Sequence, residues 1–139
     1  MKTLKKRILK SFLFTCLALT VATITFASMT RITTIPSAPG RPSPFDIEAD
    51  WCKLRFKKPI SDGGLPIQRY RIEYCPTKLG RWMLERTIKP QFAIDDMMQS
   101  NIDNRVGKKP VIFRVFAENN NGRGISSKYS DPITFGNPY

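Results

Sequence analysis

The stretch "SDGGLPIQRYRIEY" (Ser61–Tyr74) sets a turn directly against an alternating run. Gly63 and Gly64 can reach backbone conformations that residues with a Cβ seldom adopt, and Pro66 follows them. Beyond the turn, Tyr70, Ile72 and Tyr74 share one parity, and Arg69, Arg71 and Glu73 the other. Such segregation at period two marks a strand with one dry face and one wet face. A slip of one residue would expose both tyrosines and bury two arginines, so the register is strongly specified. The dry face needs a second layer, and the glycines let the chain reverse between strands of opposite sheets.

The same pattern extends outward from this strand. "CKLRFK" (52–57) places Cys52, Leu54 and Phe56 on one face and Lys53, Arg55 and Lys57 on the other. "RWMLERTI" offers Trp82 and Leu84, "QFAID" offers Phe92 and Ile94, and "VIFRVFAE" offers Val111, Phe113, Val115 and Ala117. "KYSDPITF" closes with Ile133 and Phe135. No stripe at helical spacing follows residue 30, and no internal repeat is present. The reading is an all-β, seven-stranded antiparallel sandwich of two layers. Its expected core is Leu54, Phe56, Tyr70, Ile72, Tyr74, Trp82, Phe113 and Val115. Pro36, Pro39, Pro42 and Pro44 crowd the entrance, where missing N–H donors protect an edge strand from stray pairing.

Upstream lies "MKTLKKRILKSFLFTCLALTVATITFAS", a basic start followed by an uncharged run, Ser11–Thr30. The layout is that of a secretory signal, with a cut expected after Ala27. An uncleaved anchor helix is the rival, because the uncharged run, at about 1.5 Å per residue, just spans a bilayer. Its many threonines count against that rival. The organisation read here is therefore a leader over 1–27, a linker over 28–35 and one domain over 36–139. Contact with a membrane is expected only through residues 11–30, if they stay uncleaved.

The formal charge is +12, from 23 Lys+Arg against 11 Asp+Glu. The leader holds five of those cations and no acid, which leaves +7 on the remainder. Such a surface could attract acidic partners and bind acidic glycans weakly. Without an arginine-rich block or a recognition-helix signature, nucleic acid is not expected as a partner. The alternating basic face formed by Lys53, Arg55, Lys57 and Lys58 with Arg69 and Arg71 is a possible binding surface, set against ordinary solubilising charge. The chain has no histidine. That removes the commonest general base and metal ligand, so a zinc site or a histidine-dependent triad is excluded, and no cofactor is expected. Cys52 and Cys75 are not expected to form a disulfide: Cys52 shares the inward face of Leu54, whereas Cys75 follows inward Tyr74 and points out. Asp95 and Asp96 read as a turn. No Asn-x-Ser/Thr acceptor occurs.

Taken together, "PSAPGRP", "DGGLPIQRYRIEY", Trp82 and "FRVFAENNNGRG" resemble a fibronectin type III domain over Pro36–Phe135. The Asp-Gly-Gly-x-Pro-Ile form and the Ala-Glu-Asn loop are most similar to modules of titin, twitchin, myosin-binding protein C and some cell-adhesion receptors. The resemblance implies an immunoglobulin-like sandwich that recognises partners through loops. The candidate loop residues are Asp62, Gly63 and Gly64, with Asn120, Asn121 and Arg123. In the second loop, Gly122-Arg123-Gly124 lacks the following acid of an integrin-binding Arg-Gly-Asp, so that function is not carried over. The tail "SSKYSDP" keeps Ser127, Tyr129 and Ser130 of a pattern resembling the cytokine-receptor Trp-Ser-x-Trp-Ser box, without its tryptophans. Phe56 stands where the family usually has Trp, and Val111 where it usually has a corner Tyr. Two functions follow from the residues and the resemblance. One is a non-catalytic recognition or adhesion module, secreted or anchored on the extracellular face, that binds a protein partner. The alternative is a structural spacer from a titin- or twitchin-like muscle protein, cytoplasmic, with a spurious leader.

Overall fold

The computed structural model describes residues 31–77, 80–90, 95–103 and 109–136. The leader expected over 1–27, and Phe92 and Ile94 of the strand expected at "QFAID", lie outside the described residues. Among the described residues, no helix is long and apolar enough to cross a membrane. From Thr33 onward the chain forms one compact unit. Its strands are β1 (Ser43–Phe45), β2 (Cys52–Lys57), β3 (Arg69–Pro76), β4 (Met83–Ile88), β5 (Met97–Ile102), β6 (Val111–Asn119) and β7 (Gly122–Arg123). They form two antiparallel sheets, one in the order β1-β2-β5 and the other β4-β3-β6-β7. The Gly63–Gly64 turn carries the chain from β2 in the first sheet to β3 in the second.

Alternation along the strands fills the space between the sheets. Leu54 and Phe56 from β2 meet Tyr70 and Ile72 from β3, and Phe113, Val115 and Ala117 from β6, all of them buried. Met98 and Ile102 from β5, and Ile133 and Phe135 near the C-terminus, complete the core. The Phe56 and Tyr70 rings meet edge-on at 5.3 Å. Tyr74 is only partly buried and packs against this cluster.

Trp82 is not in the core, contrary to the reading from period two. Ile72 pairs with Arg86 and Glu73 with Leu84, so Glu85 is an extra residue in the β4 ladder. An extra residue of this kind inverts the parity of everything on its far side. Leu84 is turned to the outer face and is half exposed. Trp82 shares that face and stacks on Tyr129, with ring centroids 5.1 Å apart.

Asp95 and Asp96 form the turn that the sequence reading gives them, whereas the start of β5 and the closing segment differ from the strands expected. Asp95 and Asp96 adopt φ of 54° and 58°, and β5 begins immediately after them, at Met97. The closing segment is not a continuous strand: Ile133 makes an isolated bridge to Val111. Upstream of that bridge, Ser127 and Ser130 take the place of a ladder. Their backbone N–H groups donate to the Val115 and Phe113 carbonyls at 2.9 Å. Their hydroxyls accept from the Val115 and Phe113 N–H groups, also at 2.9 Å. The tail that resembled a receptor box therefore fastens the chain to β6 through serine side chains.

Candidate functional site

The Ser61–Pro66 loop and the hairpin after β6 meet at one end of the sandwich, with the entering segment between them. Thr34 N–H donates to the Gly63 carbonyl at 2.8 Å, Ser37 N–H to the Ser61 carbonyl at 2.9 Å, and Ile125 N–H to the Pro36 carbonyl at 3.4 Å. Asn119 is the centre of the assembly. Its Nδ2 donates to the carbonyls of Thr34 at 2.7 Å and Asp62 at 2.8 Å. Its Oδ1 accepts from Asn121 N–H at 2.8 Å and so shapes the hairpin. The Asp62 carboxylate accepts from Gly64 N–H at 2.8 Å, an Asx turn that sets the other loop. Gln68 Nε2 donates to the Asn120 side chain, and Asn121 Nδ2 to Thr33 Oγ1 at 2.9 Å. Gly63 has φ of 77°, and a Cβ there would lie 2.2 Å from the Thr34 carbonyl oxygen. Only glycine lets the entering segment pass this closely.

Five of the six candidate loop residues thus share one end, whereas Arg123 turns away. Its guanidinium lies 4.6 Å from the Phe116 ring and 3.5 Å from Glu73 Oε1, on the outer face of the four-stranded sheet. There a stack runs from Tyr129 through Trp82, Arg114 and Phe116 to Arg123, with Arg114 lying 4.1 Å over Trp82. Beneath it the Glu73 carboxylate is buried and accepts from Arg71 at 3.0 Å and from Arg114 at 2.7 and 2.9 Å. Asn119 opens the candidate loop that the sequence reading places at Asn119–Ser127, but its bonds to Thr34 and Asp62 were not foreseen, and Thr34 and Glu73, which help organise these two regions, were passed over. The one available signal was Glu73, an acid that follows Arg69 and Arg71 at alternate positions of the quoted strand.

The basic face read from the sequence is two surfaces. Lys53, Arg55 and Lys57 lie on the outer face of β2, in the three-stranded sheet. Arg69 and Arg71 lie on β3, in the other sheet, and are neutralised by Glu118 and Glu73. On β2, Lys53 bonds Asp46 at 2.8 Å, and the Arg55 guanidinium sits 5.2 Å from the Phe45 ring. Cys52 and Cys75 are both buried and not bonded to each other: Cys52 faces the core, and Cys75 lies on the opposite face of β3 from Tyr74. Beside the Gly-Gly turn a hollow of about 520 Å³ is lined by Lys58, Ile60, Asp62, Ile67 and Tyr70. Burial, and to a lesser degree the charge of Asp96, pushes the Tyr70 hydroxyl up to about 12. Among the described residues, no three His, Cys, Asp or Glu side chains converge to hold a metal ion.

Two facing antiparallel sheets, with loops gathered at one end, place the chain among immunoglobulin-like sandwich modules. No family model matches the sequence. The chain is 31% identical over 107 residues to a titin homolog of Caenorhabditis elegans, covering 77% of this chain and a share of that protein that rounds to 0%. The crystal structure of titin domains A168–A170 is similar with a TM-score of 0.67 and 28% identity, covering 76% of this chain and 34% of that one. The sixth fibronectin type III domain of a human protein of that name matches in fold alone, with a TM-score of 0.60 and 18% identity over 77% of this chain and 92% of that one. The chain is thus similar in sequence to titin modules and shares the fold of fibronectin type III domains.

Proposed function

We propose that this domain is a non-catalytic spacer and protein-interaction module of the titin-like kind, working inside the cell. One observation carries the reading: the chain is fastened at opposite ends of β6. The entering segment is fixed beside Asn119, by the bonds of Thr34, Pro36 and Ser37, and the departing segment beside Val111, by paired bonds of 2.8 Å with Ile133. These anchors are about 27 Å apart at the usual rise of a strand. Tension along the chain is thereby applied across the sandwich rather than peeling one hairpin. The similarity to titin modules and the two buried cysteines, not bonded to each other, support the same reading. A protein partner would meet the loops or the outer sheet faces, and the β2 cations would give at most weak binding to acidic glycans. Stretching single molecules held at residues 33 and 135 tests the proposal. One sharp unfolding event, lengthening the chain by roughly 300 Å, is expected for about 100 residues; gradual extension without an event would refute it.

The leader favours a second reading, a secreted or anchored recognition module. Expression in a secreting cell separates the two, since that reading requires protein in the medium beginning near Ser28 or, if anchored, full-length protein on the outer cell surface, whereas the first requires full-length protein retained in the cytosol.

A further inference from the structure

Every open sheet edge is a template for another strand, and among the described residues three of the four edges are blunted. β1 is three residues long and contains Pro44, β7 is two residues long, and β4 carries the Glu85 bulge and Arg86. β5 differs: its six residues, Met-Met-Gln-Ser-Asn-Ile, include no proline, glycine, charge or bulge. Lys58 N–H donates to the Asp96 carbonyl at 2.9 Å, which sets the backbone alternation. Met98, Ser100 and Ile102 therefore turn their N–H and C=O groups toward β2, while Met97, Gln99 and Asn101 turn theirs outward. Among the described residues, no strand pairs on that outward side. The Asn101 carbonyl takes a 3.3 Å bond from Ser100 Oγ.

We propose that the β5 edge accepts an added strand, an extended acidic segment of a partner protein, seated beside the cation stripe of β2. This rests on the interaction-module reading and names the partner's chemistry. Charge complementarity selects the occupant. Lys57, Arg55 and Lys53 pair across the ladder with Met97, Gln99 and Asn101, so three cations lie on the same outer face, one strand in from the edge. Outer-face side chains of an added strand would have uncharged neighbours on β5, and these cations next. Of the three, Lys53 alone bonds a carboxylate among the described residues. Alternate positions along β2 are about 6.8 Å apart, the spacing of alternate acids on an extended chain. On the inner side, a groove of about 340 Å³ lined by Arg86, Ile88, Gln99, Ser100 and Asn101 has room for the opposite side chains. A second copy of this chain is disfavoured, because joining two β5 edges brings two cationic stripes toward each other. A sulfated glycan could engage the stripe but cannot use the edge amides.

The test uses the full chain and a capped synthetic peptide of about ten residues alternating Glu and Val, a typical strand length. A Lys–Val peptide and a heparin-derived oligosaccharide serve as comparisons. Binding is followed by fluorescence anisotropy, and amide hydrogen exchange at Gln99 and Asn101 by NMR. Gln99→Pro removes an outward N–H without breaking a bond to β2. Arg55→Glu combined with Lys57→Glu reverses the stripe. The Glu–Val peptide is expected to bind, to slow exchange at both amides about tenfold, and to weaken about tenfold in each variant and at high salt. The Lys–Val peptide is expected not to bind. The exchange readout on the unaltered chain decides the matter even if Gln99→Pro fails to fold. Binding that leaves those amides unprotected, survives Gln99→Pro, occurs only with the oligosaccharide, or is replaced by self-association overturns the proposal. None of these outcomes touches the stretching experiment, which judges the module reading separately.

Discussion

Asn119 and Thr34, 85 residues apart in sequence, are joined by a 2.7 Å hydrogen bond from the Asn119 amide to the Thr34 carbonyl. The same nitrogen donates to Asp62, so one buried side chain holds the entering segment, the Gly-Gly loop and the β6–β7 hairpin together. Replacing it with alanine removes the donor to two carbonyls. A buried acceptor left without its donor typically costs about 1–3 kcal/mol, and partial solvation of both carbonyls places Asn119→Ala at about 2 kcal/mol. Urea denaturation measures it, and a loss below about 0.5 kcal/mol would remove Asn119 from its central role.

Gly63→Ala tests the same junction from the other side. A Cβ would meet backbone, the Thr34 carbonyl oxygen, and φ of 77° is itself unfavourable for alanine. The expected result is a loss of about 1–3 kcal/mol together with faster hydrogen exchange at the Thr34 amide. Unchanged exchange at Thr34 would show that the entering segment is not held by this contact.

Glu73→Ala leaves Arg71, Arg114 and Arg123 without their shared carboxylate. Removing one side of a buried pair costs about 3–5 kcal/mol. Arg71 and Arg123 keep substantial solvent contact, with 36% and 49% of their side-chain surfaces exposed, so the lower end, about 3 kcal/mol, is expected. Thermal unfolding monitored by circular dichroism checks this. A wild-type midpoint would show the cluster to be energetically idle.

Trp82 offers a direct comparison of core with surface. A tryptophan in the core costs about 3–5 kcal/mol when cut to alanine. Stacked on the outer face against Arg114 and Tyr129, it is expected to cost about 1–2 kcal/mol. A double-mutant cycle with Arg114→Ala should show a coupling of about 0.5–1 kcal/mol, and additivity would dissolve the stack as an energetic unit.

Tyr70 sets an alkaline limit. Its hydroxyl is raised to about 12 in the fold, chiefly by burial and secondarily by Asp96, against 10.0 when unfolded. Between those values the unfolded chain releases a proton that the folded chain keeps. Stability is therefore unaffected by this group below about pH 10 and falls as pH rises from 10 toward 12. Tyr70→Phe should flatten that part of the stability–pH curve, measured by denaturation at fixed alkaline pH. An unchanged slope would assign it to other groups.

The sequence by itself determined the two-layer all-β architecture, the turn at Gly63–Gly64 and most of the core. Alternation at period two is written residue by residue, and burying one parity of Cys52–Lys57, Arg69–Tyr74 and Val111–Ala117 leaves few other solutions. It also brought the two candidate loops into view, since Asp-Gly-Gly and Asn-Asn-Asn-Gly announce turns by their own chemistry. Only the tertiary structure decided the facing of Trp82, because one extra residue at Glu85 reverses parity, and a bulge forms in answer to the partner strand. It alone joined Thr34 to Asn119, gathered three arginines around Glu73 and divided the cations of β2 from those of β3. Apart from the Arg71–Glu73 pair, which is adjacent on one strand face, those relationships link residues distant along the chain, and no local spacing encodes them.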